Sequence, residues 1–457
     1  MLLKDFNKIH FIGIGGISMS SLAEILLHKG KKISGSDGVQ SAVTNSLVEM
    51  GISVEIGQRA ENINDDIDLV VYTAAVNEDN PELVAARTSK AVVIDRAELV
   101  GMLMLEYKHP ISVAGTHGKT TTSSLVTEIL LAANAEPTVS IGGMLPSIGG
   151  NYKIGSDDYF VLETCEYCDS FLKFNPHSAI ILNVDKDHID YFKNLDNIYK
   201  SFNKFAKRLP KNGFLIINNE IPRFDEVVDG INCPYETYGI DSSADWYATN
   251  ISYNSMGHGT YKVNYRGKEI AEVSLSIPGE HNVYNSLSAF ALCYRYGVLV
   301  DDIVKGIDNY HGTDRRFQYK GSFNGVQVID DYAHHPTEIA ATINSARAND
   351  IGKLCIVFQP HTYTRTYELL DDFAKVLSKA DKVVLVDIYA SREKDTGLVS
   401  SKDLAQKIVE HGGDAEYCGT FENAENYIIN NCNPQDMLIT MGAGDIVKLG
   451  EKLVSQQ

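Results

Sequence analysis

The stretch VAGTHGKTTT, residues 113–122, sets glycines, a lysine and three threonines where they could hold a phosphate. Gly115 and Gly118 would let backbone N–H groups turn toward an anion, with Thr116 between them. Lys119 supplies a point charge, and a hydroxyl of Thr120 or Thr121 can join a Mg2+ ion. The usual phosphate loop has Gly, four residues, then Gly-Lys-Thr, which calls for glycine at 113. Val113 stands there and the glycine falls at 115, so the loop is shorter. An apolar run at 111–114 precedes it, and helical character follows from 119 to about 133. A lysine and three threonines at a helix start favour a nucleotide site over a purely structural turn.

Mg2+ chemistry needs further donors. Glu163 ends the apolar run 159–162, and a second run at 178–182 leads into a turn with Asp185, Asp187, His188 and Asp190. Both lie where ligands bind in open α/β sheets, at the carboxyl ends of strands; a solvated turn is the alternative reading of 185–190. In PGEHNVYN, His281, Asn282 and Asn285 share a helix face by spacing. Their amides could pair with a purine edge or could cap the helix. DDYAHHPTE crowds Asp330, Asp331, Tyr332, His334 and His335 at a strand end. Adjacent histidines lack the spacing of a helical metal pair, so ligand contacts are expected rather than a metal. In QPHTYTRT, Arg365 at a helix N-terminus suits a carboxylate, with a plain cap as the alternative. Gly442 and Gly444 read as a tight turn, with a ligand-binding turn as the alternative.

The elements that must position these residues alternate between strand and helix patterns almost throughout, which predicts α/β layers with parallel sheets. Breaks near Pro110 and within 311–321 divide the 457 residues into segments 1–107, 108–313 and 314–457. The first opens with a strand at 10–14, a glycine turn and a helix ending near Gly30, then a strand ending at Asp37. Gly13, Gly15 and Gly16 approximate a dinucleotide fingerprint, but Ser18 stands at its third glycine; a ligand-free turn explains the same residues. From Thr362 a helix carries the stripe Leu369, Leu370, Phe373, Val376 and Leu377.

A net charge of −19 argues against nucleic acid and against an anionic membrane surface. With no apolar run long enough to span a bilayer and no signal-peptide pattern at the start, a soluble cytoplasmic protein is expected. Seven cysteines, an odd number, suit a reducing compartment; Cys165 and Cys168 form C-x-x-C without a second pair at zinc-ribbon spacing.

Taken in order, GIGGISMS, GTHGKTTT, LETCEY, NVDKDHIDYF, PGEHNVYN, GTDRRFQ, DDYAHHPTE, QPHTYTRT and DIYASREKDTG span the chain and together resemble the Mur ligases of bacterial cell-wall synthesis. That family uses G-T-x-G-K-T, which accounts for Val113. The resemblance implies three domains: a Rossmann-like first, a central P-loop-type ATPase and a Rossmann-like third. It implies an ATP-dependent ligase joining L-alanine to the carboxylate of UDP-N-acetylmuramate through an acyl phosphate, as a monomer or homodimer. Residue by residue, Lys119 would hold the β/γ-phosphates, and Thr120, Glu163 and His188 would hold magnesium. Asn282 and Asn285 would meet adenine; Arg316 and Asp331 would meet the ATP phosphates and ribose. Tyr332, His361 and Arg365 would form the amino-acid pocket. Gly15 and Gly16 would lie near the UDP diphosphate, with Asp37 and Thr73 near the uridine.

Three other readings remain at this level. One is a ligase for a preformed tripeptide or a different amino acid. The second is an NAD-dependent oxidoreductase, argued from the first segment alone. The third is a nucleotide-gated binding protein without ligase chemistry.

Overall fold

The structure is a computed structural model that describes residues 1–456 except Ala74 and Arg392, with Asp190 described by its backbone alone. Among the described residues the strands form three sheets, joined in sequence and each layered with helices.

The first sheet is parallel, in the spatial order Ser53–Ile56, Lys32–Asp37, Lys8–Ile12, Leu69–Tyr72, Val92–Asp95. Sequence pattern puts its first strand at 10–14; the structure ends it at Ile12. Gly13 takes φ +84, a left-handed conformation open to glycine, and starts the turn there. The helix Ile17–His28 follows, with Gly30 also left-handed just past its end.

The second sheet has ten strands. His109–Ala114 lies near its middle, parallel to Ser178–Ile181 on one side and Tyr159–Glu163 on the other. All three neighbours therefore end on the same edge, which is where the loop at 115–118, Glu163 and the turn at 182–188 emerge. The helix Lys119–Ala132 packs against Val300–Asp308 so closely that a Cβ on Gly306 would sit 2.4 Å from the Ile129 Cα. The expectation of parallel sheets needs correcting at both edges of this sheet: Thr138–Leu145 pairs antiparallel with Gly150–Lys153 at one, and a longer antiparallel run closes the other. Trp246–Tyr253, His258–Tyr265 and Lys268–Pro278 form an antiparallel ribbon, because short turns join them with no helix between. Trp246 stacks on Tyr265 at 4.2 Å and buries the base of the ribbon.

The third sheet runs in the order Gln318–Phe323, Val326–Asp331, Met437–Met441, Leu354–Phe358, Lys382–Val386, Ala415–Gly419, with an antiparallel first pair. The helix pattern after Thr362 is split into Tyr363–Glu368 and Leu370–Leu377, because Leu369 leaves helical geometry at φ −110, ψ 18. Gly442 and Gly444 make the tight turn, pressed against Gln359.

One apolar core runs continuously from the first sheet's helices into the near face of the second, joining Leu103 and Met104 to Phe160, Phe171 and Phe202. Gly101 marks the seam: a Cβ there would lie 2.0 Å from the Lys173 carbonyl oxygen. Among the described residues no helix is long and apolar enough to cross a membrane.

Candidate functional site

Gly118 precedes the helix Lys119–Ala132 in a left-handed conformation, φ +82, and a Cβ there would fall 2.6 Å from Asn285 Oδ1. The loop and the helix Glu280–Arg295 thus lock together through a missing side chain. Asn285 Nδ2 donates to Asn282 Oδ1 at 3.0 Å, and Asn282 Nδ2 donates to the Pro278 carbonyl at 2.7 Å. The two amides shape the wall of a 470 Å³ cleft that also includes His281, Tyr310, Arg316 and Asp331. The cleft is lined from the second and third segments together, and Thr121 and Gly118 form its phosphate-loop end.

Lys119 is folded back over its loop, donating to the carbonyls of Gly115 and Thr116, with Glu166 Oε2 at 3.4 Å. Burial would lower its pKa, but Glu166, Glu163 and Asp187 raise it well above the usual lysine value, so it stays charged. Thr120 Oγ1 donates to Glu163 Oε2 at 2.7 Å, and the Gly142 N–H donates to the same oxygen at 2.8 Å. Arg316, from the third segment, places Nη2 3.5 Å from that threonine oxygen. A phosphate-type loop, a carboxylate and a guanidinium from another sheet therefore converge on one hydroxyl.

Burial raises the Asp331 pKa to about 6 against the pull of Arg316. Its oxygens accept the N–H groups of Phe317 at 2.8 Å and Ala333 at 2.7 Å, which anchors the strand end over the cleft. His188 sits at φ +53, a strained position for a non-glycine residue. Burial lowers its pKa below the usual histidine value, leaving a neutral ring near pH 7.

A second cleft, 240 Å³, opens beside the first, lined by His188, His361, Arg365, Glu368, Asp187 and Tyr167 among others. Arg365 Nη1 lies 3.2 Å from His361 Nδ1, and its Nη2 donates to Asp187 Oδ1 at 3.0 Å. Burial holds His361 and His334 down to about 4. Tyr332 is set back from this group. Its ring faces the guanidinium carbons of Arg315 and Arg316 at 4.9 and 5.3 Å and reaches His361 only through His334.

In the first segment the Gly15 N–H donates to Asp37 Oδ2 at 2.9 Å, and a Cβ on Gly15 would come within 2.8 Å of that oxygen. Thr73 crowds Gly13 in the same way, so Asp37 and Thr73 both lie against the glycine turn. Gly16 caps the helix Ile17–His28 with no side-chain bond. Arg96 Nη1 donates to Ser18 Oγ at 3.1 Å, bringing a half-buried guanidinium to that turn.

The spacing of the sequence did not single out His117, Glu166, Arg96 or Glu338. Their partners lie on other elements, so packing alone brings them in. His117, Asp185 and His335 hold metal-type atoms within 4.8 Å of one another. His117 lies between two carboxylates, Asp185 Oδ2 at 3.5 Å and Glu338 Oε1 at 3.4 Å. Burial would lower His117, but Asp185 and Glu338 raise it to about 9, so the ring is an imidazolium at pH 7. Cys165 and Cys168 are exposed, and no metal-type cluster among the described residues contains them.

Three family models match consecutive stretches of the chain. "Mur ligase family, catalytic domain" covers residues 8–108, "Mur ligase middle domain" covers 113–293, and "Mur ligase, glutamate ligase domain" covers 315–444. A UDP-N-acetylmuramate–L-alanine ligase of Lachnospira eligens is 52% identical over 454 residues, covering 98% of this chain and 99% of its own. The enzyme of that name from Acetivibrio thermocellus is 47% identical, over 99% of this chain and 96% of its own. The crystal structure of the UDP-N-acetylmuramate-alanine ligase of Thermotoga maritima superposes with a TM-score of 0.81 at 30% identity, covering 98% of both chains. A murein peptide ligase from Psychrobacter arcticus superposes at 0.71 with 25% identity, again over 98% of both.

Proposed function

The chain belongs to the Mur ligase family, and from that premise we propose how its residues divide the work of an ATP-dependent ligase that joins L-alanine to UDP-N-acetylmuramate in peptidoglycan synthesis. The domains are taken as 1–107, 108–313 and 314–457. ATP, UDP-N-acetylmuramate and L-alanine are the small-molecule reactants.

A carboxylate is a poor acceptor for an amine until one of its oxygens becomes a leaving group. In the first step a muramate carboxylate oxygen attacks the γ-phosphorus of ATP, and ADP departs. In the second the alanine nitrogen attacks the acyl carbon, sheds a proton, and the tetrahedral intermediate expels inorganic phosphate. The chain positions the reactants and balances their charge.

The 470 Å³ cleft takes the nucleotide, with Asn282 and Asn285 at the adenine end and Asp331 at the ribose. Gly115, Thr116, Gly118, Thr121 and Lys119 hold the phosphates; the amine need only swing from the Gly115 and Thr116 carbonyls to reach them. Arg316 adds positive charge from the opposite domain. The Thr120 hydroxyl and Glu163 carboxylate already meet at 2.7 Å and fit a hard divalent cation, and His188, in the neighbouring cleft, would add a neutral nitrogen. Mg2+ bound there would supply charge neutralisation on the phosphate oxygens. Arg365 and His361, which line the 240 Å³ cleft, hold the amino acid. Gly15, Gly16, Asp37 and Thr73 form the uridine diphosphate end.

The observation that carries this reading is the convergence of Glu163 and Arg316 on Thr120 Oγ1, at 2.7 and 3.5 Å, directly after the phosphate loop. The experiment is phosphate release from ATP and Mg2+ with UDP-N-acetylmuramate, comparing L-alanine, glycine, L-serine and a tripeptide as acceptors. Release with L-alanine is expected. Release with the tripeptide and none with L-alanine would move the chain to the other branch, and a change in NADH absorbance would revive the oxidoreductase.

A further inference from the structure

Glu338, in the first turn of the helix Pro336–Arg347, lines the 470 Å³ cleft and has no role in the division of labour above. Its Oε1 lies 3.4 Å from Nδ1 of His117 on the phosphate loop and 4.0 Å from Nη1 of Arg316. Its Oε2 lies 3.4 Å from Nδ1 of His334 and accepts the His334 N–H at 3.1 Å. The His334 ring faces His361 at 5.9 Å, and His361 faces Arg365.

Building on the ligase reading, we propose that Glu338 is a positioning residue: by pairing with His117 it seats the C-terminal domain on the phosphate loop and, through His334, sets the amino-acid cleft in the same movement. The pair is only 13% and 14% exposed, so removing one partner leaves a buried charge without its counterpart. The loop cannot shift and leave His117 behind. The His117 N–H donates to Asn183 Oδ1 at 2.8 Å, and Asn183 Nδ2 returns a bond to the His117 carbonyl at 3.1 Å. Two further bonds cross the same boundary: Thr337 Oγ1 donates to Asp185 Oδ2 at 2.9 Å, and His335 Nε2 donates to the Lys186 carbonyl at 3.0 Å. Charged and titratable groups facing His117 are Asp185 and Glu338, with Lys119 on its own helix start and the His335 ring at 4.7 Å. Coupling of this kind is reciprocal: whatever nucleotide binding does for domain seating, seating does for nucleotide binding.

The test compares wild type with Glu338→Gln, His117→Asn and the double variant. At saturating ATP and UDP-N-acetylmuramate, each single variant is expected to lose about tenfold or more in kcat/KM for L-alanine, and the double variant to lose no more than the worse single one. In the wild type, activity should carry an alkaline limb as His117 loses its proton near pH 9; Glu338→Gln, which keeps Asp185 beside the ring, should move that limb to lower pH, and the two proteins with His117→Asn should lack it. Small-angle scattering with a nonhydrolysable ATP analogue gives a readout independent of turnover: the wild type contracts and Glu338→Gln does not. Additive losses, a single variant with unchanged kcat/KM, the same alkaline limb in all four proteins, or equal radii of gyration with the analogue would overturn the proposal. Absence of turnover in the wild type with L-alanine would sink the ligase reading instead, while the scattering comparison would still decide the role of Glu338.

Discussion

Arg365 is in the helix Tyr363–Glu368 and Asp187 in the turn after the strand Ser178–Ile181, yet the guanidinium Nη2 lies 3.0 Å from the aspartate Oδ1, with both side chains nearly buried. Burial alone would raise the aspartate's pKa; Arg365, His188 and His334 hold it well below the usual carboxylate range. Arg365 is thus already organised to receive a carboxylate, and Asp187 marks where one sits. An amino-acid substrate must share or displace that partner. Arg365→Lys keeps the charge and loses the planar fork, so KM for L-alanine should rise by about tenfold or more while KM for ATP changes little. Steady-state phosphate release with each substrate varied in turn measures both; a KM for L-alanine within twofold of wild type would remove Arg365 from the pocket.

Lys119→Ala should lower kcat by about three orders of magnitude or more, because a buried cation aimed at transferring phosphate acts mainly in the transition state. The far-UV circular dichroism spectrum should be unchanged, and the melting temperature should drop, since Glu166 loses its partner at 3.4 Å. Turnover close to wild type would show that the phosphate sits elsewhere.

Glu163→Gln should raise the Mg2+ concentration for half-maximal activity by about tenfold, as one anionic oxygen becomes a weaker amide donor set. Treatment with EDTA should abolish phosphate release in both proteins and added Mg2+ should restore it. An unchanged Mg2+ requirement in the variant would take Glu163 out of the ion's surroundings.

The His117 imidazolium also makes a prediction about stability. Its folded pKa of about 9 lies above the ordinary 6.5, so its contribution is fully present below pH 6.5 and is lost as pH rises through 9. At about 1.4 kcal/mol per pH unit of displacement, the contribution is on the order of 3 kcal/mol. The melting temperature of the wild type minus that of His117→Asn should therefore shrink by a few degrees between pH 6.5 and 9.5, read by differential scanning fluorimetry. A difference that stays constant across that window would mean that His117 does not lose a proton there.

Local chemistry was the legible part of the sequence. The strand before Gly115, the helix after Gly118 and the strand ending at Glu163 follow from apolar runs and a glycine turn, because those signals act within a few residues. The antiparallel ribbon from Trp246 to Pro278 escaped because alternation alone does not say whether the next strand returns beside its neighbour or crosses over. The break at Leu369 escaped because the apolar stripe continues through it. Glu338 escaped for a different reason. It stands in plain view in DDYAHHPTE, but its meaning depends on His117, 221 positions earlier, and nothing local records that meeting.

The 470 Å³ cleft proposed for the nucleotide has walls from two sheets' domains, with Asn282 on one side and Asp331 on the other. A molecule filling it acts as mortar between them. Calorimetry should then show the melting of the central and C-terminal bodies drawn together into one cooperative event as the nucleotide concentration rises, because binding to the joined form stabilises both at once. Any compound that fits the cleft would leave the same signature, so the width of the heat-capacity peak offers a way to find inhibitors that needs no assay of the reaction.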